Sequence, residues 1–200
     1  MSPEFLCYVP GISMSPEFPP PRKEVLHAMT FDQWFAHYLQ QDELQVEHLL
    51  RDRTATRFLI AWSLFESRCF EGFAKINKFS AFAKLISEIH DFECLALQEP
   101  AKHFHSRYQD KQRCKNLMHD QKSKEMEEIL SKEFAELSRY ELTLMLLVVV
   151  YRFRNNIFHG NKGVRSWLGY KEQISLCLGV MQSFISAATG AHNTPLVPIR

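Results

Sequence analysis

Glycine is scarce in this chain, with seven in 200 residues, and runs of alternating β-branched residues are almost wanting. Both shortages argue against sheets and for helices. The five cysteines, Cys7, Cys69, Cys94, Cys114 and Cys177, are odd in number, scattered and never spaced Cys-x-x-Cys. That excludes a disulfide framework and points to reduced thiols in a cytoplasmic protein. No basic stretch followed by an apolar core opens the chain, so secretion is not expected. The longest apolar run, Leu142 to Val150, is about half of what spans a bilayer, so no membrane partner is expected either. Net charge is only +1 and by itself says nothing about a polyanionic partner.

What is present is a globular composition, 46% hydrophobic and 12% aromatic. Two hundred residues suit one domain with a sizeable core. Residues 1–23 are set apart from it by Pro3, Pro10, Pro16, Pro19, Pro20 and Pro21 and by a repeat of Met-Ser-Pro-Glu-Phe at Met1 and Met14. This leader reads as disordered or as a cloning or start-site relic, outside the fold. A helical domain is expected over 24–190, followed by a flexible tail over 191–200.

The helices follow from caps and periodicity. Thr30 with Gln33 forms a capping box before Phe31, Trp34, Phe35, Tyr38 and Leu39, and that helix is read as running on through Leu49-Leu50. Thr54 or Thr56 caps a second, with an apolar stripe at Phe58, Trp62, Phe65, Cys69 and Phe70. Ser80 caps a short piece through Ile89, and Pro100 is placed as the first residue of another helix. Ser123 to Leu137 is a charged amphipathic helix. Ser138 with Glu141 starts the apolar one, and Ser166 caps a last helix that ends at Gly190. The expectation is an all-α bundle of about five to seven helices, homodimeric.

Charge is distributed less evenly than its sum suggests. Lys102 to Lys124 holds seven Lys and Arg against Asp110 and Asp120, and Tyr151 to Arg165 holds four against none. Such a stripe suits an RNA backbone, with Arg107, Tyr108 and Lys111 as contacts; a solvated helix face is the plainer reading. His103, His105, Cys114 and His119 invite a zinc reading, but positions 103 and 105 lie about 200° apart on a helix, so no metal and no cofactor is expected.

The chemistry gathers in Tyr151-Arg152-Phe153-Arg154-Asn155-Asn156-Ile157-Phe158-His159-Gly160. Two arginines, two asparagines and a histidine close a helix that is apolar on nearly every side. An ordinary helix end explains part of this, because unpaired carbonyls attract cations and Gly stops helices. Residues five apart are turned by roughly 140°, so Arg154 and His159 share a face only if the helix ends between them, whereas Arg152, Asn155 and His159 fall on one face.

Arg-Asn-x-x-x-His closing an apolar helix, with Phe before the His and Gly after it, resembles the signature of the HEPN superfamily. The specific match covers about Ser138 to Gly163. The resemblance implies a helical, metal-independent endoribonuclease whose Arg-x4-6-His motifs meet across a dimer, in a toxin–antitoxin or anti-phage defence setting with an antitoxin or defence-system partner. It makes Arg154 and His159 the catalytic pair with Asn155 beside them, and Arg152 remains an alternative for the arginine. Arg152, Asn156, Lys162 and Glu66 are expected around the substrate, Glu66 either paired with Arg57 or Arg68 or leaning inward to orient His159 or Arg154. In a toxin subgroup of the family a tyrosine modified by a partner enzyme stands two places after the histidine; here that place is Asn161. The competing expectation is a non-catalytic domain that binds nucleotide, RNA or a partner protein.

Overall fold

The computed structural model describes residues 29–89, 95–118, 123–158 and 169–190. Every regular element among them is a helix. The leader over 1–23 and the tail over 191–200 lie outside the described residues. The chain divides between Arg51 and Asp52 into two compact units, a boundary inside the span expected as one domain. None of the described helices is long and apolar enough to cross a membrane.

In the first unit, α1 (Phe31–Leu39) opens with the expected box: Thr30 Oγ1 accepts from Gln33 N–H, and Gln33 Oε1 accepts from Thr30 N–H at 3.1 Å. The helix does not continue to Leu50. Gln40 adopts a left-handed conformation, φ 53°, and its N–H turns back to Ala36 and His37 carbonyls. Asp42 Oδ1 then accepts from Gln45 N–H at 2.8 Å and starts α2 (Glu43–Arg51). Periodicity survives the break, which is why it reads as one helix in sequence.

The second unit holds seven α-helices among the described residues, α3 (Arg53–Phe70), α4 (Phe79–Ser87), α5 (Leu95–Tyr108), α6 (Lys111–Met118), α7 (Lys124–Ser131), α8 (Arg139–Phe158) and α9 (Lys171–Thr189). With α1 and α2 the total exceeds five to seven, because local turns cut stretches that share one amphipathic pattern. Asp52, not Thr54 or Thr56, caps α3, accepting from Thr54 N–H at 2.8 Å. Its carboxyl is held down to about 2 by the Lys171 ammonium, 2.6 Å away, and by Thr54. Ser80 caps nothing: the 3-10 turn Ile76–Lys78 leads straight into α4, and Phe79 N–H is taken by the Ile76 carbonyl.

Pro100 lies inside α5, five residues past its start. Lacking an N–H, it cannot bond the Ala96 carbonyl, the loss a proline brings beyond a helix's first turn. The expected helix over Ser123 to Leu137 is α7 followed by a separate 3-10 turn, Phe134–Glu136. Ser138 and Glu141 do form their box, with Ser138 N–H donating to Glu141 Oε2 at 2.9 Å and Glu141 N–H donating to Ser138 Oγ. Ser166 lies outside the described residues; α9 starts at Lys171 and stops at Gly190 as expected.

The core is organised around α8. From Leu142 to Val150 every residue is buried, Thr143 included, which an all-round apolar helix requires. Around it α9 packs along α3, while α4, α5, α6 and α7 each pack against α8 itself. Phe65 of α3 is the hinge of an aromatic cluster, 5.2 Å from Phe70, 6.4 Å from Phe82 and 6.2 Å from Phe184 between ring centroids. Burying each such side chain is worth about 1.5–3 kcal/mol. The packed middle of α8 leaves its last two turns as the place where polar groups reach the edge of the core.

Candidate nucleic-acid interface

The last turns of α8 distribute their side chains over three directions. Tyr151 and Arg154, one turn apart, face α3 and α4: the Tyr151 ring lies 6.2 Å from Trp62 and 5.4 Å edge-on from Phe79. The Arg154 guanidinium sits 5.5 Å over the Trp62 ring, and its Nη1 donates to Asn155 Oδ1 at 3.1 Å. Arg152 points inward and is 7% exposed. Burial lowers the pKa of its guanidinium, which nevertheless stays charged, since arginine starts far above neutral pH.

Phe153, Asn156 and Ile157 form the third direction and wall a cleft of about 50 Å³. Across from them stand Arg107 at the end of α5, Arg113 and Asn116 on α6, and Tyr170 at the start of α9. Asn156 is 5% exposed, an amide carried deep into the cleft wall. Arg107 lies 5.7 Å over the Tyr170 ring, which in turn meets Phe153 edge-on at 6.1 Å. Its Nε is buried and makes no hydrogen bond among the described residues. Arg113 is exposed and paired with Asp110 at 3.9 Å. The N-cap residue Tyr170 does not cap with its side chain, so the positive end of α9 borders the same cleft.

Two arginines, two amides and a helix N-terminus around a small cavity favour an anion. The volume suits a group the size of a phosphate or a few waters. Tyr108 also lines the cleft, and burial pushes its phenol well above the usual tyrosine range, so it stays a neutral hydroxyl.

Of the residues expected from the sequence, Asn156, Arg107 and Tyr108 come together here. Arg154 and Asn155 do not line this cleft; they are bonded to each other on the face turned to Trp62. Glu66 is engaged elsewhere: its Oε1 accepts from Ala74 N–H at 3.1 Å and closes the turn after α3, where Glu71 and Gly72 take positive φ. Lys111 lines a neighbouring cavity instead. His159 and Lys162 lie outside the described residues. Arg113, Asn116 and Tyr170 were missed by sequence reasoning. The only signal for the first two was the basic stretch from Lys102, in which Arg113 and Asn116 stand three apart on one helical face.

The histidines weighed as metal ligands have other neighbours. His103 shares a hydrogen bond with Gln173 Nε2 at 3.3 Å and stands 3.9 Å from Glu172, while His105 is buried against Phe134. His119 lies outside the described residues. No family model, curated protein or solved structure matches this chain.

Proposed function

We propose that this protein is a metal-independent endoribonuclease of the HEPN type, working in a toxin or anti-phage role, in which the polar end of α8 meets RNA and the cleft beside it takes one backbone phosphate. One observation carries the reading: Asn156, from the motif segment, lines the same cavity as Arg107 and Arg113, two cations contributed by separate helices. A motif segment that merely ended a helix would have no reason to share a cationic cleft.

In this reading His159 removes the proton from a ribose 2′-hydroxyl, the oxygen attacks the adjacent phosphorus, and the 5′-oxygen leaves with a proton returned to it. The products are a 2′,3′-cyclic phosphate and a free 5′-hydroxyl. An arginine fork on the non-bridging oxygens stabilises the added negative charge, a role for Arg152 or Arg154. Pairing of two copies about a twofold axis brings both motif segments together.

A second reading is favoured by what Arg154 and Asn155 already do. Their mutual bond and the seat on Trp62 are structural uses, which suits a domain that binds RNA, nucleotide or a partner protein without cutting. Incubation with total RNA in EDTA separates the two. Cleavage by the parent that is abolished by His159→Ala, and that spares DNA, supports the nuclease. RNA binding without cleavage, weakened by Arg107→Ala, supports the binding domain.

A further inference from the structure

A second cavity, distinct from the cleft and from the proposed chemistry, opens between α6 and α7 and encloses about 530 Å³. Three of its lining side chains carry sulfur. Cys114 and Met118 stand one turn apart on α6, so both project from one face of that helix. Met126 lines the cavity from the first turn of α7, where its N–H donates to the capping Ser123 Oγ at 3.4 Å. Met118 and Met126 are buried, and Cys114 is half-buried.

A buried methionine by itself is ordinary core filling, and leucine would do the same. What sets this trio apart is that two thioethers share an open cavity with a thiol, which gives an ion a way in. Methionine has three rotatable bonds and adapts the position of its sulfur to what it meets. Thiolate and thioether are soft donors, and together they select soft ions over Zn(II) or Mg(II). The geometry points to a binding site for a soft monovalent cation, Cu(I), held by the Cys114 thiolate and the Met118 and Met126 thioethers.

Binding exchanges the thiol proton for the ion. The S–H bond breaks, the proton leaves to solvent, and a Cu(I)–S bond forms with no change of oxidation state. Thiolate and Cu(I) together carry no net charge, so the pair can sit half-buried where a bare anion would be penalised. The thioethers are neutral and add donors without adding charge, which suits an apolar wall.

The test uses the full chain without oxygen, with free Cu(I) set by bathocuproine disulfonate, and follows alkylation of each cysteine by peptide mass spectrometry. Reading the Cys114 peptide alone keeps the result independent of ions held at other thiols, and Cys69 and Cys177 are buried. Cu(I) is expected to protect Cys114, while Zn(II) at the same free concentration leaves it reactive. Met118→Leu and Met126→Leu keep the apolar volume and are checked for folding by thermal unfolding. Each should raise the free Cu(I) at half-protection at least about tenfold, since losing even a partner that only orients a ligand costs metal affinity roughly 10–100-fold. X-ray absorption of the parent, loaded to the point where Cys114 is first protected, needs no substitution and should show three sulfur neighbours. An unprotected Cys114, equal protection by Zn(II), a half-protection point unmoved in either folded leucine variant, or a single sulfur among nitrogen and oxygen neighbours would each overturn the assignment.

Discussion

Single side chains in this protein carry more than one duty, and Arg154 is the clearest case. Its guanidinium is a lid on Trp62 before it is anything else. Arg154→Lys keeps a cation over the ring and should change stability by less than about 0.5 kcal/mol, whereas Arg154→Ala should cost about 1 kcal/mol. If the planar fork also serves phosphate, the lysine variant should still lose RNA cleavage by about tenfold or more. Thermal unfolding and a cleavage assay on the same preparations separate the two duties. Asp52 offers a pH test. Its folded pKa, about 2, lies below its ordinary 3.8, so its stabilisation is complete above the ordinary value and is lost as pH falls through the folded one. Against Asp52→Asn, which retains the cap but not the charge facing Lys171, the parent should be more stable by about 1 kcal/mol near neutrality. Denaturant titrations should show that margin closing between about pH 4 and pH 2.

At the scale of helices, the caps decide where elements begin, and two of them were legible. Thr30–Gln33 and Ser138–Glu141 are closed within four residues, so no distant contact has a say in them. Replacing Ser138 by Ala should destabilise the protein by about 1 kcal/mol, read as a shift in denaturation midpoint. Glu141 is doubly held there, since Lys132 also pairs with it and keeps its carboxyl below the usual range. Gly179 gives the opposite sign. It sits inside α9 with open space where a side chain would go, so Gly179→Ala should stabilise by about 0.5–1 kcal/mol. Of the missed boundaries, Asp52 is as local a side-chain cap as the legible ones, and Thr54 and Thr56 competed with it as the reading of the same helix start. Two others share a cause: Gln40 and the turn before α4 are settled by backbone geometry that leaves apolar spacing intact, so periodicity ran across them. Likewise the cleft joins α5, α6, α8 and α9, and no window of sequence contains Asn156 and Arg113 together.

For the molecule as a whole, the apolar middle of α8 and the phenylalanine cluster set the stability, and in the proposed reading the cleft sets affinity for a polyanion. Phe184→Ala should cost about 3–5 kcal/mol, enough to unfold a marginal domain. Binding of single-stranded RNA should weaken linearly with the logarithm of salt, and replacing Arg107 and Arg113 together should flatten that slope by about 0.7, the contribution of the one phosphate proposed for the cleft. An unchanged slope would remove the cleft from any account of RNA binding. The unbroken run from Leu142 to the cleft wall at Asn156 has a further consequence for motion. Amide hydrogens of Met145 to Val150 can exchange with deuterium only when the entire second unit opens, whereas those nearer Asn156 exchange through smaller, more frequent openings. A phosphate seated against Arg107 would slow the fast set without touching the slow one, so the helix itself records whether its end is occupied.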